Sequence, residues 1–169
     1  MPFGPHTDPT ESQIRWQIYT SLAYGAKGVI YFNYGTPKTF EFPKGSGIVR
    51  RDGTRTRHWF QAKRINRSLK HLGPTLMQLT NQEVYRVKPG DDPAAVLAGT
   101  PIKTITRAKV DPDHDYLIGT FQHADGRRAV LLNNYQFAYT AWPTVEFDVP
   151  PEQVQEIDQQ TGKIIPAYD

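Results

Sequence analysis

Ile14, Ile18 and Leu22 recur at i, i+4 and i+8 near the start of the chain, with Trp16, Tyr19 and Ala23 widening the apolar face. That spacing predicts a helix that buries one side. Asp8-Pro9-Thr10-Glu11 supplies its start: Asp8 as N-cap, Pro9 at the first helical position and Glu11 closing a capping box. The helix should end near Gly25 or Gly28, because glycine accepts the left-handed cap conformation. Val29-Ile30-Tyr31-Phe32-Asn33-Tyr34 follows, apolar at nearly every position and bounded by Gly28 and Gly35-Thr36-Pro37. So short an apolar run predicts a strand covered on both faces, as in a parallel sheet flanked by helices. Residues 35–54 form a long loop closed by the Asp52-Gly53 turn signal. Thr54 or Thr56 then caps a second helix with Trp59, Ala62, Ile65, Leu69 and Leu72 on its inner face. Gly73-Pro74 should interrupt it, since proline disfavours helical geometry in the residue before it. Leu76 and Leu79 suggest one more helical turn before Glu83.

Beyond Val84-Tyr85-Arg86-Val87 the periodicity changes to that of short strands. Asp91-Asp92-Pro93 reads as a loop. Tyr116–Phe121 and Arg128–Asn133 read as a hairpin around His123-Ala124-Asp125-Gly126. Thr144 to Val149 alternates strictly, and Val154–Asp158 with Lys163–Ile165 flanks Gln159-Gln160-Thr161-Gly162 as a last hairpin. The predicted fold class is α+β: a partial α/β segment over residues 1–83, then an antiparallel β-sandwich module over 84–169. One strand with two helices cannot bury its own faces and edges, so the first segment reads as part of a larger body.

The 169 residues suffice for one domain or two small ones. Cysteine is absent, which removes disulfides and thiol chemistry. No apolar run approaches the roughly 18 residues of a membrane span, and the first residues show no secretory signal pattern; the compartment stays undetermined. The net charge of +3 hides an asymmetry. Residues 1–80 carry twelve Lys/Arg against four acids, while 81–169 carry eight against thirteen. Two units of opposite sign, attracting each other, would explain the split.

The run Ile14-Arg15-Trp16-Gln17-Ile18-Tyr19-Thr20-Ser21-Leu22-Ala23-Tyr24-Gly25-Ala26-Lys27-Gly28, followed by Val29 to Tyr34, resembles the last helix-to-strand step of (β/α)8-barrel glycoside hydrolases of the β-galactosidase type. Asp52-Gly53-Thr54, Ile65-Asn66 and Leu72-Gly73-Pro74 resemble the final barrel helix of that group. The stretch Leu117–Asp169, with Asp125-Gly126, Asn133-Asn134 and Asp158-Gln159-Gln160-Thr161-Gly162-Lys163, is similar to the β-sandwich that follows such barrels. The resemblance implies a C-terminal part of a hydrolase-like protein whose catalytic carboxylates come from earlier strands. No residue here matches those positions, so no catalytic residue is assigned and hydrolysis by this chain alone is not expected. Where the family often closes its last strand with an aromatic wall, Gly35 follows Tyr34.

Barrel sites lie at the carboxyl ends of strands, which makes Asn33, Tyr34 and Glu41 the substrate-binding candidates. Asn33 suits a sugar hydroxyl and Tyr34 a sugar ring, although both residue types also serve ordinary strand ends. Carbohydrate is the ligand this implies, with the sandwich, the missing barrel portion or a second copy covering the apolar sides of residues 14–34 and 59–79. Asp8, Glu11 and Asp52 are explained by caps and turns, leaving Glu41 without a partner acid. Asp111-Pro112-Asp113-His114-Asp115 has alternate carboxylates, but Tyr116 and Gln122 stand where a calcium loop needs glycine and glutamate. The five histidines lack metal-site spacing, Gly45-Ser46-Gly47 is too short for a nucleophile elbow, and no phosphate-cradling glycine pattern precedes a helix. No metal or cofactor is therefore expected. A carbohydrate-binding or structural β-module is the second reading, resting on Tyr135, Tyr139 and Trp142. Third is nucleic-acid binding through residues 50–70, where eight Lys/Arg accompany one acid.

Overall fold

The structure, a computed structural model, describes residues 7–42, 47–109 and 113–167. It is mixed α and β with antiparallel sheets, 26% helix and 27% strand, so neither class of element dominates. Helix α1 spans Glu11–Ala23. Its cap is Thr10 rather than Asp8: the Thr10 hydroxyl accepts the Gln13 N–H and the Gln13 side chain accepts the Thr10 N–H, a complete capping box. Asp8 instead pairs with Arg57 at 2.7 Å and His58 at 3.1 Å, bridging to the second helix. Tyr24 closes α1 and Gly25 follows at φ +87°, the left-handed position that glycine fills without strain.

Helix α2 spans Arg57–Leu76 and runs straight through Gly73-Pro74. The predicted break fails because the carbonyl Pro74 leaves unpaired belongs to exposed Lys70, within reach of water, and only two helical residues follow. Leu79 is not in a helical turn; it opens β1, Leu79–Val87. A short helix α3, Pro93–Val96, occupies the expected loop, with the Asp92 carboxylate accepting the Ala94 N–H at 3.1 Å. Strand β2, Ile102–Thr106, has no counterpart in the sequence reading. The others follow it closely: β3 Tyr116–His123, β4 Arg128–Asn134, β5 Thr144–Phe147, β6 Gln155–Ile157 and β7 Ile164–Pro166.

The sheets are β1-β3-β4, β2-β5 and β6-β7, every pair antiparallel. Val87, Leu97, Ile102, Ile105, Tyr116 and Ile118 form one core between the first two sheets. A second core joins Ile18 and Leu22 of α1 to Ile65 of α2, with Leu131 of β4 packed against it. The three-stranded sheet is thus covered on both sides. Residues 116–121 are all buried, because Tyr116 and Ile118 face one core while α1 lies over Gly119.

No ion pair joins the halves among the described residues: each lies within 1–80 or within 81–169. What crosses is apolar packing and neutral hydrogen bonds: Trp16 Nε1 donates to the Tyr135 carbonyl at 2.9 Å, Asn81 Nδ2 to the Ala23 carbonyl at 3.0 Å and Tyr19 OH to Gln159 at 2.9 Å. Opposite net charges on two units therefore do not translate into ion pairs among the described residues.

Candidate functional site

After Gly25 the chain turns and Lys27 Nζ donates to the carbonyls of Leu76 and Leu79, fixing the entry to residues 29–34. This segment is not a strand in a sheet. Val29 and Tyr31 pack against the core of α1 and α2, and Tyr31 OH donates to Asn66 Oδ1 at 2.7 Å. Burial pushes the Tyr31 hydroxyl pKa up. The alternate residues point the other way: Ile30 is 98% exposed, Phe32 77% and Tyr34 68%. The prediction of a strand covered on both faces is corrected by these exposures. Among the described residues α2 covers one face, and no neighbouring strand lies beside Val29 to Tyr31.

The segment ends where the candidates sit. The peptide between Phe32 and Asn33 is cis. The Asn33 and Tyr34 carbonyls accept the N–H groups of Ile48 at 3.1 Å and Val49 at 2.8 Å, forming a short parallel contact. Thr36 returns an N–H to the Val49 carbonyl at 3.0 Å, and Thr56 Oγ1 donates to the Gly47 carbonyl at 2.7 Å. The long loop is thereby tied back on both sides. Within it Phe42 is buried with its ring 5.9 Å from that of Phe32, and half-buried Glu41 precedes it in a turn.

Among the described residues the side chains of Asn33, Tyr34 and Glu41 make no hydrogen bond or ion pair within the chain. They offer an amide, a phenol ring and one carboxylate. That set suits hydrogen bonding and stacking. Glycoside hydrolysis takes two carboxylates at a fixed separation, and the other acids of residues 1–80 are committed elsewhere. Glu11 is held by Arg64 at 2.6 Å and Arg15 at 2.9 Å, which lowers its pKa, the Arg64 hydrogen bond most. Asp52 accepts the Thr54 hydroxyl and N–H, which lowers its pKa too.

A hollow of about 300 Å³ lies between the end of α1 and α2, lined by Leu22, Val29, Leu69, Leu76 and Met77 with Lys27 and Lys70 at its edge. Its lining has no carboxylate, so acid–base chemistry has no seat there. Tyr135 is not part of an open platform: Trp16 packs 4.9 Å from it and the Arg86 guanidinium lies 4.4 Å above it. Tyr139 and Trp142 are exposed. Asp111 and Pro112 of the alternate-acid run, and Gly45 and Ser46, lie outside the described residues. Among the described residues no cluster of three metal-ligating side chains occurs, and no helix is long and apolar enough to cross a membrane. The sequence reading missed the outward pairing of Ile30 with Phe32. Strict alternation is hidden when both faces are apolar, and only the weak signal of Tyr34 at the segment's end hinted at it.

Compared with models of protein families, with curated proteins and with solved structures, the chain matches none.

Proposed function

We propose that this chain is the C-terminal part of a glycoside hydrolase-like protein: the last helix–strand–helix step of an α/β barrel, followed by a β-sandwich. In this reading residues 29–34 are the final barrel strand, α2 is the helix outside it, and the outward face of Ile30, Phe32 and Tyr34 is the side that the rest of the barrel covers. The observation supporting it is this one-sided burial. Ile30 and Tyr34 are largely exposed although the opposite face is packed, and an apolar patch of that kind marks an interaction surface. Asn33, Tyr34 and Glu41 stand at the carboxyl end of that strand, where a barrel presents its ligand groups. They bind carbohydrate in the complete protein, and the acids that cleave it come from outside this chain.

The test has two arms. Reading the coding sequence upstream of Met1 should show, in frame, several β/α units with two acids at strand ends. The chain alone should leave nitrophenyl glycosides intact, while the chain with those units should hydrolyse one of them. Turnover by the 169 residues alone, or an upstream sequence without β/α units, overturns the proposal. A second reading, a carbohydrate-binding β-module, draws on exposed Trp142 and Tyr139; it would show glycan binding lost on Trp142→Ala and kept on Tyr34→Ala.

A further inference from the structure

The outward side of α2 carries a feature that the proposed function does not use. Ala62, Ile65 and Leu72 are buried on one side, whereas Phe60, Lys63, Arg67 and Lys70 recur three and four residues apart on the other, all exposed. Lys63 to Lys70 covers about 10 Å of helix axis, and exposed Arg55 extends the row ahead of the helix. The neighbouring arginines Arg57 and Arg64 are neutralised by Asp8 and Glu11. Arg55, Lys63, Arg67 and Lys70 have no acid partner among the described residues, and the acidic half of the chain supplies none. The Arg55 guanidinium lies 3.9 Å from the Trp59 ring centroid and Lys63 Nζ 5.3 Å from it, so one indole holds two cations together at the start of the row.

We propose that this row binds an extended polyanionic polysaccharide, one bearing sulfate groups along its length. A linear array of unneutralised cations on a rigid helix meets successive anionic groups and gains by releasing their counterions. One detail favours a glycan over a single-stranded nucleic acid. Single-strand binders stack successive bases on open aromatic faces, and Trp59 already carries Arg55, which leaves Phe60 as the one exposed aromatic in the row.

The proposal is tested on the whole chain by titrating fluorescein-labelled heparin at several salt concentrations, against a Lys63→Gln/Arg67→Gln/Lys70→Gln variant. The chain should bind with a log–log salt slope of about −2 to −4. The variant should bind about tenfold or more weakly, with most of the slope gone, and with an unchanged circular dichroism spectrum and melting temperature. Arg55→Gln alone should weaken binding by a smaller factor, which keeps the test valid if the triple variant folds poorly. A single-stranded and a duplex oligonucleotide of matched charge should compete poorly. Equal or tighter oligonucleotide binding at the same salt overturns the glycan assignment in favour of nucleic acid. Absence of heparin binding, or binding untouched by these substitutions, overturns the proposal outright. None of these outcomes depends on whether the chain belongs to a hydrolase.

Discussion

Gly119 of β3 sits directly beneath Ala23 of α1: a Cβ built on residue 119 would stand 2.3 Å from the Ala23 carbonyl oxygen and 2.9 Å from its Cα. Backbone faces backbone at this point, so no flexible side chain can yield. Gly119→Ala should therefore destabilise the fold by about 2–3 kcal/mol, the cost of overpacking a rigid site. Urea unfolding checks it, with a lowered midpoint and an unchanged slope; a midpoint equal to wild type would show that α1 can lift off the sheet freely.

Two isoleucines of the same half should behave in opposite ways. Ile65 is fully buried between the helices, and Ile65→Ala should cost about 3 kcal/mol. Ile30 is almost wholly in water, so Ile30→Ser should change stability by less than about 0.5 kcal/mol. Paired with Phe32→Ser it should also reduce concentration-dependent association of the isolated chain. Sedimentation velocity on wild type and the double variant reads this directly.

Arg86 donates two hydrogen bonds, both 3.0 Å, to the carboxylate of Asp115, whose side chain is only 7% exposed. Removing the guanidinium leaves a buried anion without its partner, the costly way to break such a pair. Arg86→Met should lower stability by about 2–3 kcal/mol, and Asp115→Asn in the same background should recover part of it. A double-mutant cycle in urea measures the recovery; strict additivity would refute the pairing.

Acid should weaken the fold through carboxylates that are held by hydrogen bonds in the native state. Glu11 lies below its ordinary 4.5 because of Arg64 and Arg15, and Asp158 below 3.8 because it accepts the Thr161 hydroxyl and the Gln160 N–H. A depressed folded-state pKa means that the contribution is complete above the unfolded value and disappears as pH falls through the folded one. Stability should hold from neutrality down to about pH 5 and decline through pH 4 and 3. Glu11→Gln should flatten part of that decline, as urea midpoints at pH 7, 5 and 3 would show.

Periodicity made much of this fold legible. The four-residue spacing of Ile14, Ile18 and Leu22 and the alternation around Asp125-Gly126 and Gln159 to Gly162 fix element type from local chemistry, and the structure has those elements. Three things stayed hidden. The cap of α1 is a competition between neighbours, and Asp8 is drawn off by Arg57 and His58, 49 and 50 residues away. The break at Gly73-Pro74 depended on whether a missing N–H mattered so near the helix end. The exposure of Ile30 and Phe32 is a property of what stands next to them, which no local pattern encodes. The candidates Asn33, Tyr34 and Glu41 were legible only through their place at a strand end, and their free side chains are what the structure adds.

The stacking of Gly119 and Leu131 on the first helix also orders events during synthesis. Helix α1 leaves the ribosome well before β3 and β4, the floor on which it rests, are made. Long-range closure of this sort is slow, and the nascent helix must wait with its greasy side uncovered. Ribosome-bound chains that expose α1 before β3 and β4 have emerged should accordingly recruit chaperones, and those in which both strands have cleared the ribosome should let them go.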